Sequence, residues 1–391
     1  MTDKRKASHK FVIGSQYFIF FGVMGIFLPY FNLYCFHIGF SGFQIGVLSA
    51  LRTIAVVLFA LFWGAIADRF QIRKPIYILC NFISTAIWAF FIFTTDFWPM
   101  FIITIFYGIF YAPIISFLEA FTIDVLGKEK ESYGLLRAWG SLAFITAVIV
   151  LGKIIDLYSI KIIIILIFAG SLALAFISTK IPDTVTLKKR PYAFSAKVLL
   201  KKPVLIFLFC AFLMLASHGA YYGFFSIHLA NMGYGSTFIG ITWALASFAE
   251  ILVMIKSNII FKRYSMENVI VFSFIVATLR WLILFFATSP AIILLSQTLH
   301  AVTYGSFHVA SILYIDLLIP DEAKTLGQAA NNAVSYGLGL TAGFLISGCL
   351  YKGTGSFALF FISAIIALAG GAVFKGSQMI EQKDAGARRT D

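Results

Sequence analysis

Apolar residues fill this chain in long blocks separated by short polar clusters. Most blocks approach the roughly 20 residues that a helix needs to cross a bilayer core. Inside lipid a backbone has no water to bond, so blocks of this length are read as helices. Cutting at the polar clusters predicts twelve spans. They lie near 11–35, 43–67, 75–94, 99–123, 134–152 and 161–179, then near 203–228, 237–257, 268–287, 290–317, 326–350 and 356–374. Proline agrees with the cuts. Pro75, Pro99, Pro203 and Pro290 stand at span starts, where the missing N–H costs nothing, and Pro182 and Pro320 follow span ends. Pro29 and Pro113 fall inside spans 1 and 4 and are expected to kink them. The predicted class is an all-α membrane protein.

The basic residues between the blocks set a direction. With both termini on one side, that side holds 23 of the 30 Lys and Arg residues, and the other holds only Lys153, Lys161 and Lys352. This asymmetry predicts a multi-pass protein of the cytoplasmic (inner) membrane with both termini in the cytoplasm. Met1–Lys10 has the charge of a signal-peptide lead, but the apolar run after it is too long and lacks a small-residue cleavage site. It is kept as part of span 1.

Composition removes the soluble classes. Of 391 residues, 60% are hydrophobic and 12% charged, against about 25% charged in a soluble domain. The net charge of +13 would raise nucleic-acid binding in a soluble protein. Here the charge sits in membrane-flanking loops, and no nucleic-acid partner is expected. Cys35, Cys80, Cys210 and Cys349 lie scattered in apolar segments and read as packing residues, with neither a disulfide framework nor a metal site implied.

The longest polar stretch, 181–202, follows span 6 and divides the chain into an N-terminal bundle, 1–180, and a C-terminal bundle with a short tail, 203–391. It reads as a basic cytoplasmic linker suited to an anionic leaflet. The halves carry a faint repeat. Ile45-Gly46 with Ala50-Leu51 recurs as Ile239-Gly240 with Ala244-Leu245, an offset of 194. Ile123-Asp124-Val125-Leu126 recurs as Ile315-Asp316-Leu317-Leu318, an offset of 192. A consistent offset near half the chain predicts two pseudo-symmetric six-helix bundles, with substrate bound between them near the membrane midplane.

Six plus six spans resemble the major facilitator superfamily. The loop after span 2, Gly64-Ala-Ile-Ala-Asp68-Arg69-Phe-Gln71-Ile72-Arg73-Lys74, is similar to its signature Gly-x-x-x-Asp-Arg-x-Gly-Arg-Arg/Lys and departs at Gln71 and Ile72. The resemblance implies a gating role, latching the cytoplasmic side, for Asp68, Arg69 and Arg73. Arg137-Ala-Trp139-Gly140-Ser141, Ser217-His218 through Phe224, Trp243 through Glu250, and Leu299-His300 through His308 resemble the phenylpropionate permease branch, related to the lactose permease and nucleoside–proton symporters.

A charge at the bilayer centre costs at least about 2.5–3.5 kcal/mol and marks a functional site with a partner. Arg52, Glu119, Arg137, His218, Glu250, Arg280, His300 and His308 qualify. Glu119 and Arg137 lie on consecutive antiparallel spans and can meet, either as a brace between helices or around a ligand. The lactose permease carries a Glu and an Arg on these spans that hold its sugar, which implies substrate binding here. Trp139 offers a stacking face or an interfacial anchor. Arg52 is expected to meet Glu119 or an anionic substrate, and three span arginines against two span carboxylates favour an anion. His218 neighbours Gly219 and Gly223, and Tyr221 and Tyr222 offer rings and hydroxyls to the same substrate. Glu250, Arg280 and His300 match the acid, Arg and His with which the lactose permease handles its proton, with Thr303 in place of a second acid. His308 shares the His300 face and joins the proton-coupling set.

The expected function is secondary active transport by alternating access. The substrate is read as a small organic solute moved with protons, an aromatic or other carboxylate ahead of a sugar or nucleoside. The partners are that solute, protons and the bilayer, and the unit is expected to be a monomer without cofactors. Proton-linked efflux of hydrophobic compounds is the alternative. A transporter-like sensor and an intramembrane enzyme rank lower, since the chain has no H-E-x-x-H or G-x-S-x-G motif, and no phosphate loop for an ATP-driven pump.

Overall fold

The computed structural model describes residues 3–127, 129, 132–183 and 196–387. Most of the predicted linker (184–195), Lys128 and Lys130 lie outside the described residues. Among the described residues the regular elements are all helical. The first half holds α1 (Asp3–His37), α2 (Gly42–Phe70), α3 (Arg73–Ala89), α4 (Phe97–Tyr111), α5 (Pro113–Leu126), α6 (Tyr133–Leu157) and α7 (Ile162–Ser178). The second holds α8 (Lys202–Ser217), α9 (Gly219–Asn231), α10 (Ser236–Arg263), α11 (Met266–Phe286), α12 (Pro290–Thr298), α13 (Phe307–Leu318), α14 (Lys324–Asn332) and α15 (Leu340–Ala387).

Among the described residues, ten helical stretches are long and apolar enough to cross a membrane, and Ile162–Ser178 is a shorter apolar helix. The last stretch, Asp321–Ile380, is broken at Gly355, whose φ of 74° no other residue type adopts freely. That break separates spans 11 and 12, so all twelve predicted spans are represented. Pro113 divides span 4 into α4 and α5, whereas α1 runs through Pro29 without interruption.

The chain forms two compact units, residues 1–190 with 229–244, and residues 191–228 with 245–391. The segment 229–244 groups with the first unit. The reason is visible in the contacts of that segment. Asp156, at the end of α6, accepts from the Ser236 N–H at 2.7 Å and from the Thr237 N–H at 2.8 Å. A carboxylate here satisfies two of the orphan donors of a helix start and meets the positive end of its dipole. The Tyr30 hydroxyl lies 2.8 Å from the Val148 carbonyl and 3.1 Å from that of Ser236.

In the first unit α1 packs on α6 and α7, α2 on α4, and α3 on α4 and α7. Polar groups buried among these helices are paired across them. Gln16 Nε2 donates to the Leu174 carbonyl, the Tyr77 hydroxyl donates to Gln16 Oε1, and Trp88 Nε1 donates to the Ile164 carbonyl. In a medium without water these bonds replace the solvent that would otherwise compete.

The second unit packs α11 and α8 against α15, and its helices depart from regularity in three places. Span 7 breaks at His218, whose N–H bonds three residues back to Leu215 rather than four back. The Met214 carbonyl released by this shift accepts from His218 Nδ1 at 2.8 Å. Spans 10 and 11 each contain a π-helical stretch, Ala301–Ser306 and Ala333–Gly339. None of the three carries a proline.

At the span 7 break α9 meets α15 backbone to backbone, and a Cβ on Gly219 would fall on Gly343. Gly219→Ala is therefore expected to destabilise the fold by about 1–3 kcal/mol, the range for forced overpacking. Gly64→Ala, in open space, is the matched control. Thermal unfolding of both variants in detergent should lower the midpoint only for the first.

Candidate functional site

In the second unit, burial of Arg280 organises the predicted proton group. Its side chain is fully buried, and its donors find neutral acceptors on span 10. Nε donates to the Ser296 carbonyl at 3.0 Å, Nη2 to Gln297 Oε1 at 3.2 Å, and Nη1 to His300 Nδ1 at 2.9 Å and Thr303 Oγ1 at 3.3 Å. The guanidinium also stands over the Tyr221 ring at 4.3 Å and beside Trp281 at 4.7 Å. Tyr221 completes the net by donating its hydroxyl to Gln297 Oε1 at 3.0 Å.

These partners fix a tautomer. A guanidinium can only donate, so His300 Nδ1 must be the acceptor and its proton must sit on Nε2. That nitrogen faces Glu250 Oε2 at 3.7 Å. His218 has the opposite arrangement. Its Nδ1 meets a carbonyl, which only accepts, so Nδ1 carries the hydrogen and the buried Nε2 presents a lone pair. The His218 ring stacks near Tyr222 at 6.2 Å and lies 6.2 Å from both His300 and Tyr304. Glu250, Arg280, His300, His218, Tyr221 and Tyr222 thus gather in one place, bringing together residues that the sequence reading divided between the proton and the substrate. His308 joins through stacked rings and through Tyr336, whose hydroxyl lies 2.6 Å from His308 Nδ1. Gln297, Tyr304 and Tyr336 escaped the sequence reading. The signal for Gln297 was available, as an uncharged but strongly polar side chain in the middle of an apolar span.

In the first unit the predicted charges stay apart. Arg52 lies over the Phe27 ring at 4.5 Å and lines a tight cleft with Phe27, Tyr107 and Tyr111. Arg137 lies over Phe21 at 3.8 Å. Among the described residues no salt bridge joins Glu119 to Arg137. The expected alternative of a fixed brace between spans 4 and 5 is not formed. Trp139 is 49% exposed and meets Phe18 edge-on and the surface over Gly14. It lies two residues from Arg137, and that step points it to another side of α6.

The loop after span 2 reverses on Gln71, in the left-handed region at φ 57°, where the superfamily signature has glycine. Its backbone N–H and that of Ile72 both bond the Ala67 carbonyl, and Gln71 Nε2 donates to the Asp68 carbonyl at 2.6 Å. Arg73 ties the start of α3 to Asp124 at the end of α5 at 2.9 Å and reaches Asp68 at 4.0 Å. Arg69 lies over Phe70. Asp124 had stood out only as half of the repeat with Asp316. Its copy Asp316 accepts from Gln328 Nε2 at 2.7 Å. Among the described residues no cluster of His, Cys, Asp or Glu could hold a metal ion.

Comparison with known proteins agrees with this architecture. The model of the MFS_1 like family matches residues 12–362. The chain is 27% identical over 362 residues to a probable 3-phenylpropionic acid transporter of Escherichia coli (strain K12), covering 90% of this chain and 93% of that protein. It is 24% identical over 358 residues to the maltose permease of Geobacillus stearothermophilus, covering 88% and 89%. The crystal structure of the nucleoside transporter NupG superposes with a TM-score of 0.83 at 19% identity, over 94% of this chain and 99% of that one.

The Arg280 net makes Gln297 its most exposed dependency. Gln297→Leu keeps the volume but leaves the Tyr221 hydroxyl and Arg280 Nη2 buried without an acceptor. An expected loss of about 1–3 kcal/mol should appear as a lowered unfolding midpoint, with Gln297→Glu holding both donors and recovering most of it.

Proposed function

This chain belongs to the MFS_1 like family, a family of multi-pass membrane transporters with the major facilitator fold, and on that premise we propose that it carries a small organic acid together with protons. Transport is by alternating access in the cytoplasmic membrane, with both termini inside. The observation that carries the reading is the meeting of Glu250 with Arg280-bound His300. A carboxylate 3.7 Å from a neutral imidazole, in the field of a guanidinium that its neutral acceptors do not neutralise, can take and release one proton. Burial favours the protonated carboxyl and a nearby cation favours the charged one, so a change of access can tip the balance.

The first unit supplies the substrate side. Arg52 and Arg137 rest on aromatic rings without a salt bridge to Glu119, which leaves two cations and aromatic faces inside the spans. That combination suits an aromatic carboxylate better than a neutral sugar. The likeness to a probable 3-phenylpropionic acid transporter supports the same choice. A monoanion moving with one proton carries no net charge and is driven by the pH difference, at about 1.4 kcal/mol per unit. A second proton would add about 2.3 kcal/mol for every 100 mV of potential.

Purified protein in liposomes with a pH dye inside tests the reading directly. External 3-phenylpropionate should acidify the lumen, and an unchanged pH with wild-type protein would sink the coupling. Glu250→Gln is expected to keep substrate exchange but lose accumulation by about tenfold or more. Arg137→Ala should weaken 3-phenylpropionate binding by about 1.5–3 kcal/mol, the range for a hydrogen bond to a charged group. Unchanged affinity would move the carboxylate elsewhere.

A further inference from the structure

Titratable side chains step along one strip of span 10. His300, Tyr304 and His308 follow at intervals of four residues, and Asp316 lies two such steps further on. The first three rings are nearly parallel, with centroids 5.2 Å apart at 18° and 6.2 Å apart at 7°. The strip leads from the Arg280 net toward the Leu318 end of α13, the end that the Lys and Arg asymmetry assigns to the cytoplasm. Tyr304 and His308 are half-buried, whereas His300 is buried.

Three further observations decide what the strip can conduct. His300 cannot be its carrier, because Arg280 donates to Nδ1 and Nε2 already holds the hydrogen. A second proton would set an imidazolium against the guanidinium. Glu250 packs against Gly305, on the same π-helical stretch as Tyr304. Tyr336, from the π-helical stretch of span 11, bonds His308 Nδ1, and its ring stands edge-on to that of Tyr304 at 6.0 Å. A hydroxyl can accept with its oxygen while it donates its hydrogen, so this pair connects Glu250 to His308 without passing through His300.

We propose that His308 is the exit acceptor for the transported proton, reached from Glu250 through the Tyr304–Tyr336 pair, and that His300 stays neutral throughout. The inference rests on the proton-coupled reading above. In the transfer the O–H bond of protonated Glu250 breaks and its proton joins a tyrosine oxygen. The hydroxyl's own proton passes on through the pair, the last transfer being from Tyr336 to His308 Nδ1. Both tyrosines are restored, Glu250 is left as carboxylate, and His308 becomes imidazolium. His308 then gives its Nε2 proton to water on the cytoplasmic side. The groups facing His308 are Tyr304 from its own span and Tyr336 from span 11, with Glu250 of α10 acting through them.

The test uses the full chain with 15N-labelled histidine in lipid nanodiscs, followed by NMR across roughly pH 5–8, where histidine changes charge. His308 is expected to titrate in this range. Tyr336→Phe and Glu250→Gln should each move its midpoint by about half a pH unit or more. His300 should keep the neutral Nε2–H signature at every pH. An imidazolium at His300 with Arg280 intact, or a His308 midpoint that neither variant moves, would overturn the proposal. In liposomes, His308→Phe and Tyr336→Phe should cut 3-phenylpropionate-driven proton entry about tenfold while exchange of 3-phenylpropionate stays within about twofold. Undiminished proton entry in both variants would equally overturn it. If wild-type protein admits no protons with 3-phenylpropionate, the coupling reading fails by itself, and the His308 titration still decides the connection to Glu250.

Discussion

A guanidinium cannot shed its charge inside a protein, and its N–H groups must all find acceptors wherever it is buried. Arg280 imposes that demand on the centre of the second unit. The acceptors it uses are neutral: a carbonyl, an amide, an imidazole and a hydroxyl. Because none of these neutralises it, the positive charge still acts on what surrounds it. This field holds His300 in one tautomer and draws the Tyr221 ring onto its face. The order of the polar residues on span 10 follows from that single requirement, since Ser296, Gln297, His300 and Thr303 present their acceptors on one side over two turns.

The two units handle charge in opposite ways. In the second, the buried cation is fully engaged by hydrogen bonds within the unit, which makes it a fixed part of the scaffold. In the first, Arg52 and Arg137 lean on aromatic rings, an interaction of about 0.5–2 kcal/mol that a better partner can replace. Engaged charges give a constant field, and loosely held charges remain available to a ligand. A transporter needs both, because binding has to be reversible while the scaffold around it keeps its geometry.

The spans were legible because lipid enforces a simple rule. A run of about twenty apolar residues with polar ends has one stable solution, the helix. Glu250, Arg280 and His300 were legible for the same reason, since charge is scarce inside the spans. What stayed hidden depends on neighbours. The break at His218 comes from a side chain taking a carbonyl that the backbone gave up, and only a folded span 7 presents that choice. The Gly219 signal was read as permission for close approach, and the partner, Gly343, lies more than a hundred residues away. Glu119 and Arg137 illustrate the opposite outcome, because spacing placed them on adjacent helices and aromatic rings then held them apart. Trp139 was tied to Arg137 by sequence proximity, and helical rotation separates them. Gln71 carries a conformation that glycine would adopt freely, and its own side-chain bond to Asp68 helps offset the difference.

The π-helical stretches of spans 10 and 11 also bear on how these spans tolerate change in length. Hydrogen bonds to the fifth residue make room for more chain per turn than an α-helix holds. Deleting one residue between Ala301 and Ser306 would let the α pattern close, and lipid would accept the shortened helix without penalty. Because the extra residue is absorbed in the wider turn, the helix beyond it would keep its register, with His308 still facing Tyr336 and Asp316 still facing Gln328. Span 10 can therefore lose one residue at its π-helical turn and keep its registration with span 11, whereas a deletion elsewhere along it would turn the following side chains by about 100°.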